Sequence, residues 1–201
     1  MKKILLSLFI LASTLVSNQA NAQVYEKGNV VVDAFYGFPN LFGAIVRNAY
    51  DNSSYYSNVK VRSLGPLGIC AEYLVGDKIG VGAEFTYATT VGKYDYSGSG
   101  TTYSYEESFN RFRILPRLNF HFGSSSQLDP YLTFGMGYGN FKYKLTTNDP
   151  SQSGGADVKD PINFSYRMGF GLRYFFNDHI GLMGEFGFGG PLARGGLTFK
   201  F

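Results

Sequence analysis

The chain is short of the groups that most soluble and catalytic proteins rely on. It has a single cysteine, Cys70, in 201 residues, so no intramolecular disulfide can brace an exported form. It has two histidines, His121 and His179, which leaves few candidates for a general base. Charged residues make up 16% of the chain and the net charge is +3, with Lys2 and Lys3 at the extreme N-terminus; that excludes the basic footprint of a nucleic-acid binder. After the N-terminal leader no apolar run approaches 18 residues, so the rest of the chain cannot cross a membrane as a helix. Neither a metal site nor a cofactor is indicated.

What is present begins with that leader. Met1-Lys2-Lys3 is a basic start, Ile4 to Val16 is interrupted only by Ser and Thr, and Ala20-Asn21-Ala22 places small residues at −3 and −1 of a cleavage site. The pattern predicts a signal peptide over 1–22 and one exported domain over 23–201. Gln23 follows the site instead of a cysteine, which argues against a lipoprotein anchor.

Aromatic residues make up 17% of the chain, and a period of two shows where they go. From Arg111 to Phe122 one face carries Phe112, Ile114, Pro116, Leu118, Phe120 and Phe122, the other Arg111, Arg113, Leu115, Arg117, Asn119 and His121. Similar alternation predicts eight strands near 29–38, 62–74, 79–89, 108–122, 130–142, 162–176, 180–189 and 194–201. Short connections (Val75 to Lys78, Gly123 to Asp129, Asn177 to His179) alternate with long ones (Pro39 to about Val61, Thr90 to Glu107, Tyr143 to Pro161). The last connection on the long-loop side, Gly190 to Ala193, is brief. This is the layout of a transmembrane barrel with both termini in the periplasm.

A soluble barrel would turn its apolar face inward around a ligand. Eight strands enclose a bore barely wide enough for ordinary side chains, so the aromatic set must face outward, into lipid. The fold expected is an all-β, eight-stranded antiparallel up-and-down transmembrane barrel. Pro66 and Pro116 sit badly in paired strands, and a bulge is expected at or near Pro116.

The segments RFRILPRLNFHF (Arg111 to Phe122), DPYLTFGMGYG (Asp129 to Gly139), GFGLRYFFNDHIGLMGEFGFG (Gly169 to Gly189) and the terminal GGLTFKF resemble small eight-stranded outer-membrane barrels of the OmpA/OmpX type. The form common in Bacteroidetes-like bacteria is the most similar, and the resemblance covers all of 23–201. It implies residence in outer-membrane lipid and insertion by the barrel-assembly machinery, which reads a C-terminal strand ending in Phe. Leu197, Phe199 and Phe201 would form that signal. It does not imply one function, because members include anchors, adhesins, solute pores and a few enzymes.

The inward face collects charge: Asp33, Glu72, Glu84 and Glu185 against Arg111, Arg113, Arg117, Arg167, Arg173 and Lys200. A buried charge left unpaired is costly, so these are expected to pair into a plug; a narrow pore for small hydrophobic or anionic solutes is the alternative. Cys70 is expected to be an inert filler of the bore. A lipid-modifying barrel enzyme needs a base beside a nucleophile at the outer mouth, but His121 and His179 both fall at the short turns. Tyr50, Tyr55 and Tyr56, with Tyr94, Tyr96, Tyr103 and Tyr105, lie among Ser, Gly, Asn and Asp in the long connections. That composition suits contact with an extracellular ligand, and at least as well suits solvated loops or strands that extend above the membrane. Leu41, Phe42, Ile45, Val46, Ala49 and Tyr50 recur at helical spacing, which predicts a short amphipathic helix in the first loop.

Overall fold

Alternation of large apolar with small or polar residues extends every strand until a turn residue breaks it, and hydrogen bonding then closes the sheet. The computed structural model describes residues 25–40, 44–46, 48, 55–98, 101–123, 127–152, 156–159 and 163–201; the predicted leader lies outside them. Its strands are β1 (Val30–Phe38), β2 (Tyr56–Gly76), β3 (Ile79–Gly98), β4 (Thr101–His121), β5 (Leu128–Thr147), β6 (Ala156–Lys159), β7 (Phe164–Phe175), β8 (Ile180–Phe188) and β9 (Ala193–Lys200). Antiparallel neighbours run β1-β2-β3-β4-β5-β7-β8-β9, and β9 pairs back onto β1, so eight strands close a barrel. The short β6, which period alone did not reveal, is added to the far end of β5 through Lys142↔Lys159 to Leu145↔Ala156. The closing seam extends to Phe201, whose N–H and C=O both bond to Val30 at 2.9 Å.

The outer surface of the barrel is apolar. Along β7, Phe164, Tyr166, Met168, Phe170, Leu172 and Tyr174 are all exposed, whereas Ser165, Arg167 and Arg173 between them are buried. The tyrosines bracket a purely apolar stretch, the arrangement of interfacial aromatic girdles around a lipid-facing band. Phe170 sits near the middle of that band. Phe170→Arg should therefore destabilise the refolded barrel by roughly 2–4 kcal/mol, read from denaturant unfolding in lipid vesicles, while a change at Tyr55 in the turn before β2 should have little effect.

Strand lengths divide the barrel in two. β1, β8 and β9 have 9, 9 and 8 residues, about what a tilted strand needs to cross a bilayer. β2 to β5 have 20 or 21. The excess of about ten residues, at about 3.3 Å each, raises four adjacent strands roughly 30 Å above the rest. The connection expected at Thr90 to Glu107 is thus almost entirely strand, with only positions 99 and 100 between β3 and β4, while those expected at Pro39 to about Val61 and Tyr143 to Pro161 contribute strand at 56–61, 143–147 and 156–159.

The bulge is at the other proline. Register shifts between Leu64 and Leu67 against β3, where Gly65 has φ +79° beside Pro66. Around Pro116 both ladders keep their register: Ala83 faces Pro116 on one side, and on the other pairing breaks at Ile114↔Tyr138 and resumes at Arg117↔Gly135. Gly137 of β5 lies diagonally across from Pro116, at the level of Leu115, and a Cβ there would come within 3.0 Å of Pro116 Cδ. A glycine across the seam accommodates the ring, so no extra residue is needed.

Candidate functional site

Two regions combine chemistry with geometry, the bore and the inner face of the tall strands. In the bore, the inward positions of eight strands converge on a polar core. Glu185 of β8 is fully buried; its Oε1 accepts from Arg167 Nε at 2.8 Å, and its Oε2 from Arg117 Nη2 at 3.0 Å, Arg194 Nη2 at 2.7 Å and the Tyr131 hydroxyl at 3.2 Å. Glu84 of β3 accepts from Arg117 Nη1 at 2.9 Å, Arg194 Nη1 at 2.8 Å and the Thr86 hydroxyl at 2.9 Å. Arg117 and Arg194 therefore bridge the same two carboxylates.

A second cluster lies toward the short turns. Arg173 of β7 reaches Asp33 and Glu72, each at 2.7 Å through Nη2, and Asp129 at 3.5 Å through Nη1. His121 places Nε2 2.7 Å from Glu72 and Nδ1 2.9 Å from Asp129, so both ring nitrogens face carboxylates and neither faces a nucleophile. Tyr25, just ahead of β1, closes this end: it is 2% exposed, its hydroxyl lies 3.2 Å from Arg173, and its ring packs against His121 and Phe175. Tyr131 joins the two clusters, with its ring 4.4 Å from the Arg173 guanidinium and its hydroxyl on Glu185.

Of the charges expected inside, Asp33, Glu72, Glu84, Arg117, Arg167, Arg173 and Glu185 meet in these ion pairs. Arg113 is equally buried but bonds Ser165 Oγ and the Tyr166 carbonyl, both at 2.6 Å. Arg111 is half-buried at the long-strand end, and Lys200 at the opposite end sets Nζ 5.5 Å from the Phe175 ring. His121, on the inward face that its parity predicts, completes the core together with Arg194, Asp129, Tyr131 and Tyr25, which the inward charge pattern of the sequence did not include. Cys70 is buried at the side of the plug, where Arg117 Nη1 lies 3.6 Å from its sulfur. His179 is exposed in the turn before β8, its Nδ1 3.0 Å from the Lys200 carbonyl.

The second region is the inner face of the raised wall. Register sets Tyr56 opposite Tyr96, Tyr96 opposite Tyr103, and Tyr94 opposite Tyr105. Tyr94 and Tyr105 stack at 5.3 Å and 8°, and Tyr56 meets Tyr94 edge-on at 5.2 Å. The Tyr94 hydroxyl donates to Glu107 at 3.0 Å and that of Tyr105 to Asp149 at 2.8 Å. Burial, with the Glu107 carboxylate beside it, pushes the Tyr143 hydroxyl up to about 12. Hydrogen bonds from Asn58 and Ser104, each 2.7 Å long, hold Asp95 below the usual carboxylate range. A cleft of about 390 Å³ opens among Tyr56, Tyr94, Tyr96, Tyr105, Leu145 and Asp149. Tyr55 is exposed in the turn before β2, and Tyr50 lies outside the described residues.

Residues 44–46 and 48 of the predicted first-loop helix are helical, and the Ala44 amide bonds the Asn40 carbonyl at 3.2 Å. Val46 is buried over Gly92 of the wall, where a Cβ would come within 2.8 Å of Val46 Cγ1. The other positions of that segment are not among the described residues. Leu197 and Phe201 point outward on the closing seam, with Phe199 half-buried between them.

A family model described as outer membrane protein beta-barrel domain matches residues 8–192. No curated protein matches the chain. Among solved structures, the N-terminal β-barrel domain of Pseudomonas aeruginosa OprF is 16% identical with a TM-score of 0.43, over 88% of this chain and 100% of that one. Ail, the attachment invasion locus protein of Yersinia pestis, solved with the heparin analogue sucrose octasulfate, is 12% identical with a TM-score of 0.49 over the same shares. Outer membrane protein W of E. coli is 18% identical with a TM-score of 0.46, again over 88% and 100%.

Proposed function

The chain belongs to the outer membrane protein beta-barrel domain family, and from that premise we propose that it is a closed, non-conducting barrel that acts through its raised tyrosine wall. The carrying observation is the plug. Arg117, Arg167, Arg173, Glu84, Glu185, Glu72 and Asp33 fill the bore with side chains no more than 1% exposed, held by ion pairs of 2.7–3.0 Å. Solute passage would require several of these pairs to open together, each leaving charges unpaired in a low-dielectric bore.

The short turns, the β1 start and the β9 end would lie in the periplasm, reached with a signal peptide over 1–22 and inserted by the barrel-assembly machinery through Leu197, Phe199 and Phe201. The wall then stands outside the cell. Tyrosines fixed by stacking and by hydroxyl–carboxylate bonds supply broad contact at small entropy cost, in a setting of Asn, Ser and Thr that adds hydrogen bonding.

Planar-bilayer recording on refolded protein tests the plug: no steady conductance is expected, and steady conductance altered by Arg113 or Arg117 substitution would replace this reading with a narrow solute pore. Replacing residues 93–106 by a tight turn tests the wall. The shortened protein should keep its heat-dependent gel shift while cells bearing it lose surface attachment; attachment equal to wild type would remove the wall from the function.

A further inference from the structure

We propose that the cleft among Tyr56, Tyr94, Tyr96 and Tyr105 is a binding site for an N-alkylated ammonium group, with Asp149 as its counter-ion. The site rests on the placement of the raised wall outside the cell, proposed above. The raised strands divide charge between their two faces. Lys60 pairs with Lys93, Arg62 with Val91, and Lys144 with Ser108, so Lys60, Arg62, Lys93, Lys142 and Lys144 share the outward face, where all are exposed. The inward face alternates with it and carries the tyrosines. Between Arg111 and the strand tips, the described inward positions of β3, β4 and β5 include no Lys or Arg. Their acid is Glu107, joined by Asp149 just past the end of β5, where it accepts the Tyr105 hydroxyl.

The cleft, about 390 Å³, is lined by the four tyrosines with Leu145, Asp149 and Gln152, a volume within the roughly 300–1,000 Å³ of small-molecule sites. Its rings stand at different angles. Tyr94 and Tyr105 are within 8° of parallel, while Tyr56 stands at 76° to Tyr94 and at 50° to Tyr96. Rings so disposed form the sides of a box, not one flat platform on which a sugar or a base would stack. The face of an aromatic ring is negative and attracts a cation. A tyrosine whose hydroxyl donates to a carboxylate passes electron density to its ring, and Tyr94 donates to Glu107 as Tyr105 does to Asp149.

Hydrogen bonding decides which cation fits. Asp149 already accepts the Ser151 amide at 2.8 Å, the Ser151 hydroxyl at 2.7 Å and the Tyr105 hydroxyl at 2.8 Å. Those bonds from Ser151 and Tyr105 hold its carboxyl below the usual carboxylate range, so it keeps its negative charge. A primary ammonium brings N–H donors that all need acceptors, and leaving them unmet in a cleft is costly. A quaternary ammonium brings none and needs only ring faces and a nearby negative charge. Either a free small cation or a phosphocholine headgroup supplies that group; the recognition chemistry is shared.

The test uses the refolded full barrel in phosphatidylglycerol nanodiscs, titrated with choline chloride at constant ionic strength. Ring resonances of Tyr94, Tyr96 and Tyr105 should shift and saturate, while those of Tyr131 in the bore stay in place. Ammonium chloride and the neutral carbon isostere of choline should each bind roughly tenfold more weakly or worse. Tyr96→Leu and Asp149→Asn should each weaken choline binding roughly five- to tenfold, and Tyr96→Phe, which keeps the ring, should bind as the wild type does. Should a variant fail to refold, the wild-type titrations with choline, ammonium and the isostere still decide. Glycerophosphocholine separates the sources: tighter binding than choline identifies a headgroup, and weaker binding a free cation. No saturable shift, a shift equalled by the neutral isostere, or full binding by Tyr96→Leu overturns the site. Replacement of residues 93–106 tests attachment separately, so attachment lost there beside a failed choline titration refutes the ammonium ligand and leaves the wall in the function.

Discussion

Glu185→Gln should cost the folded barrel roughly 3–5 kcal/mol, the range seen when one partner of a buried ion pair is removed. Glu185 is the acceptor shared by Arg117, Arg167, Arg194 and Tyr131, and it is too deeply buried for solvent to replace what is lost. Glutamine preserves the shape but leaves those guanidinium groups with Glu84 alone among the described carboxylates. Denaturant unfolding of the refolded protein, followed by gel mobility before and after boiling, measures the loss. Adding Arg167→Met should recover part of it, because Glu185 is the one described acid that Arg167 pairs with, and removing both charges leaves a neutral gap in place of an unpaired cation. The exposed Lys93–Glu106 pair, at a similar 2.8 Å, is the contrast: Lys93→Gln should change stability by no more than about 1 kcal/mol. If Glu185→Gln costs equally little, the plug does not hold the barrel together and the bore tolerates unpaired charge.

Much of the plug was legible because period two assigns a face with no knowledge of the fold. Asp33, Glu72, Glu84, Arg117, Arg167, Arg173 and Glu185 share that parity, and the barrel brings them within bonding distance. Parity says nothing of height along the bore: Arg111 lies beside Arg113 at the long-strand end, and Lys200 lies near the opposite end by Phe175. Arg194 has the parity of Thr198 and Lys200 but directly follows a turn, and Asp129 was assigned to a turn itself. Tyr25 lies in no periodic segment, so nothing local marks it as the stopper of the short-turn end.

The tyrosine wall was legible in a different sense. Tyr94 and Tyr96 alternate with Lys93, Asp95 and Ser97, and Tyr103 and Tyr105 with Thr102, Ser104 and Glu106, so the strand signal never stops. Membrane thickness sets no limit on a strand that continues to pair with its neighbours beyond the lipid. Cross-strand pairing also explains the straight course through Pro116, since what that proline needs is supplied by Gly137 on another strand. Features that depend on the facing strand are invisible until the register is known.

The same dependence makes two glycines on adjoining strands respond in opposite ways to one change. Gly171 of β7 faces the bore between Tyr131 and Glu185 in register, and a Cβ there would land on the Tyr131 ring. That ring cannot retreat: it is fully buried, held over Arg173 and tied to Glu185. Overpacking by a single small group costs roughly 1–3 kcal/mol in a tight core; leucine adds more volume than the bore can yield, because moving Tyr131 uncouples both charge clusters. Gly171→Leu should therefore abolish the heat-modifiable barrel and its refolding yield. Gly184 of β8 has opposite parity and is exposed, and a Cβ added to it would meet no heavy atom within 4 Å among the described residues. Gly184→Leu should leave stability unchanged within about 0.5 kcal/mol or raise it slightly, since the new side chain meets only lipid. Equal damage at both positions would mean that Gly184 faces packed protein as well, and the assignment of one apolar face to lipid would fail with it.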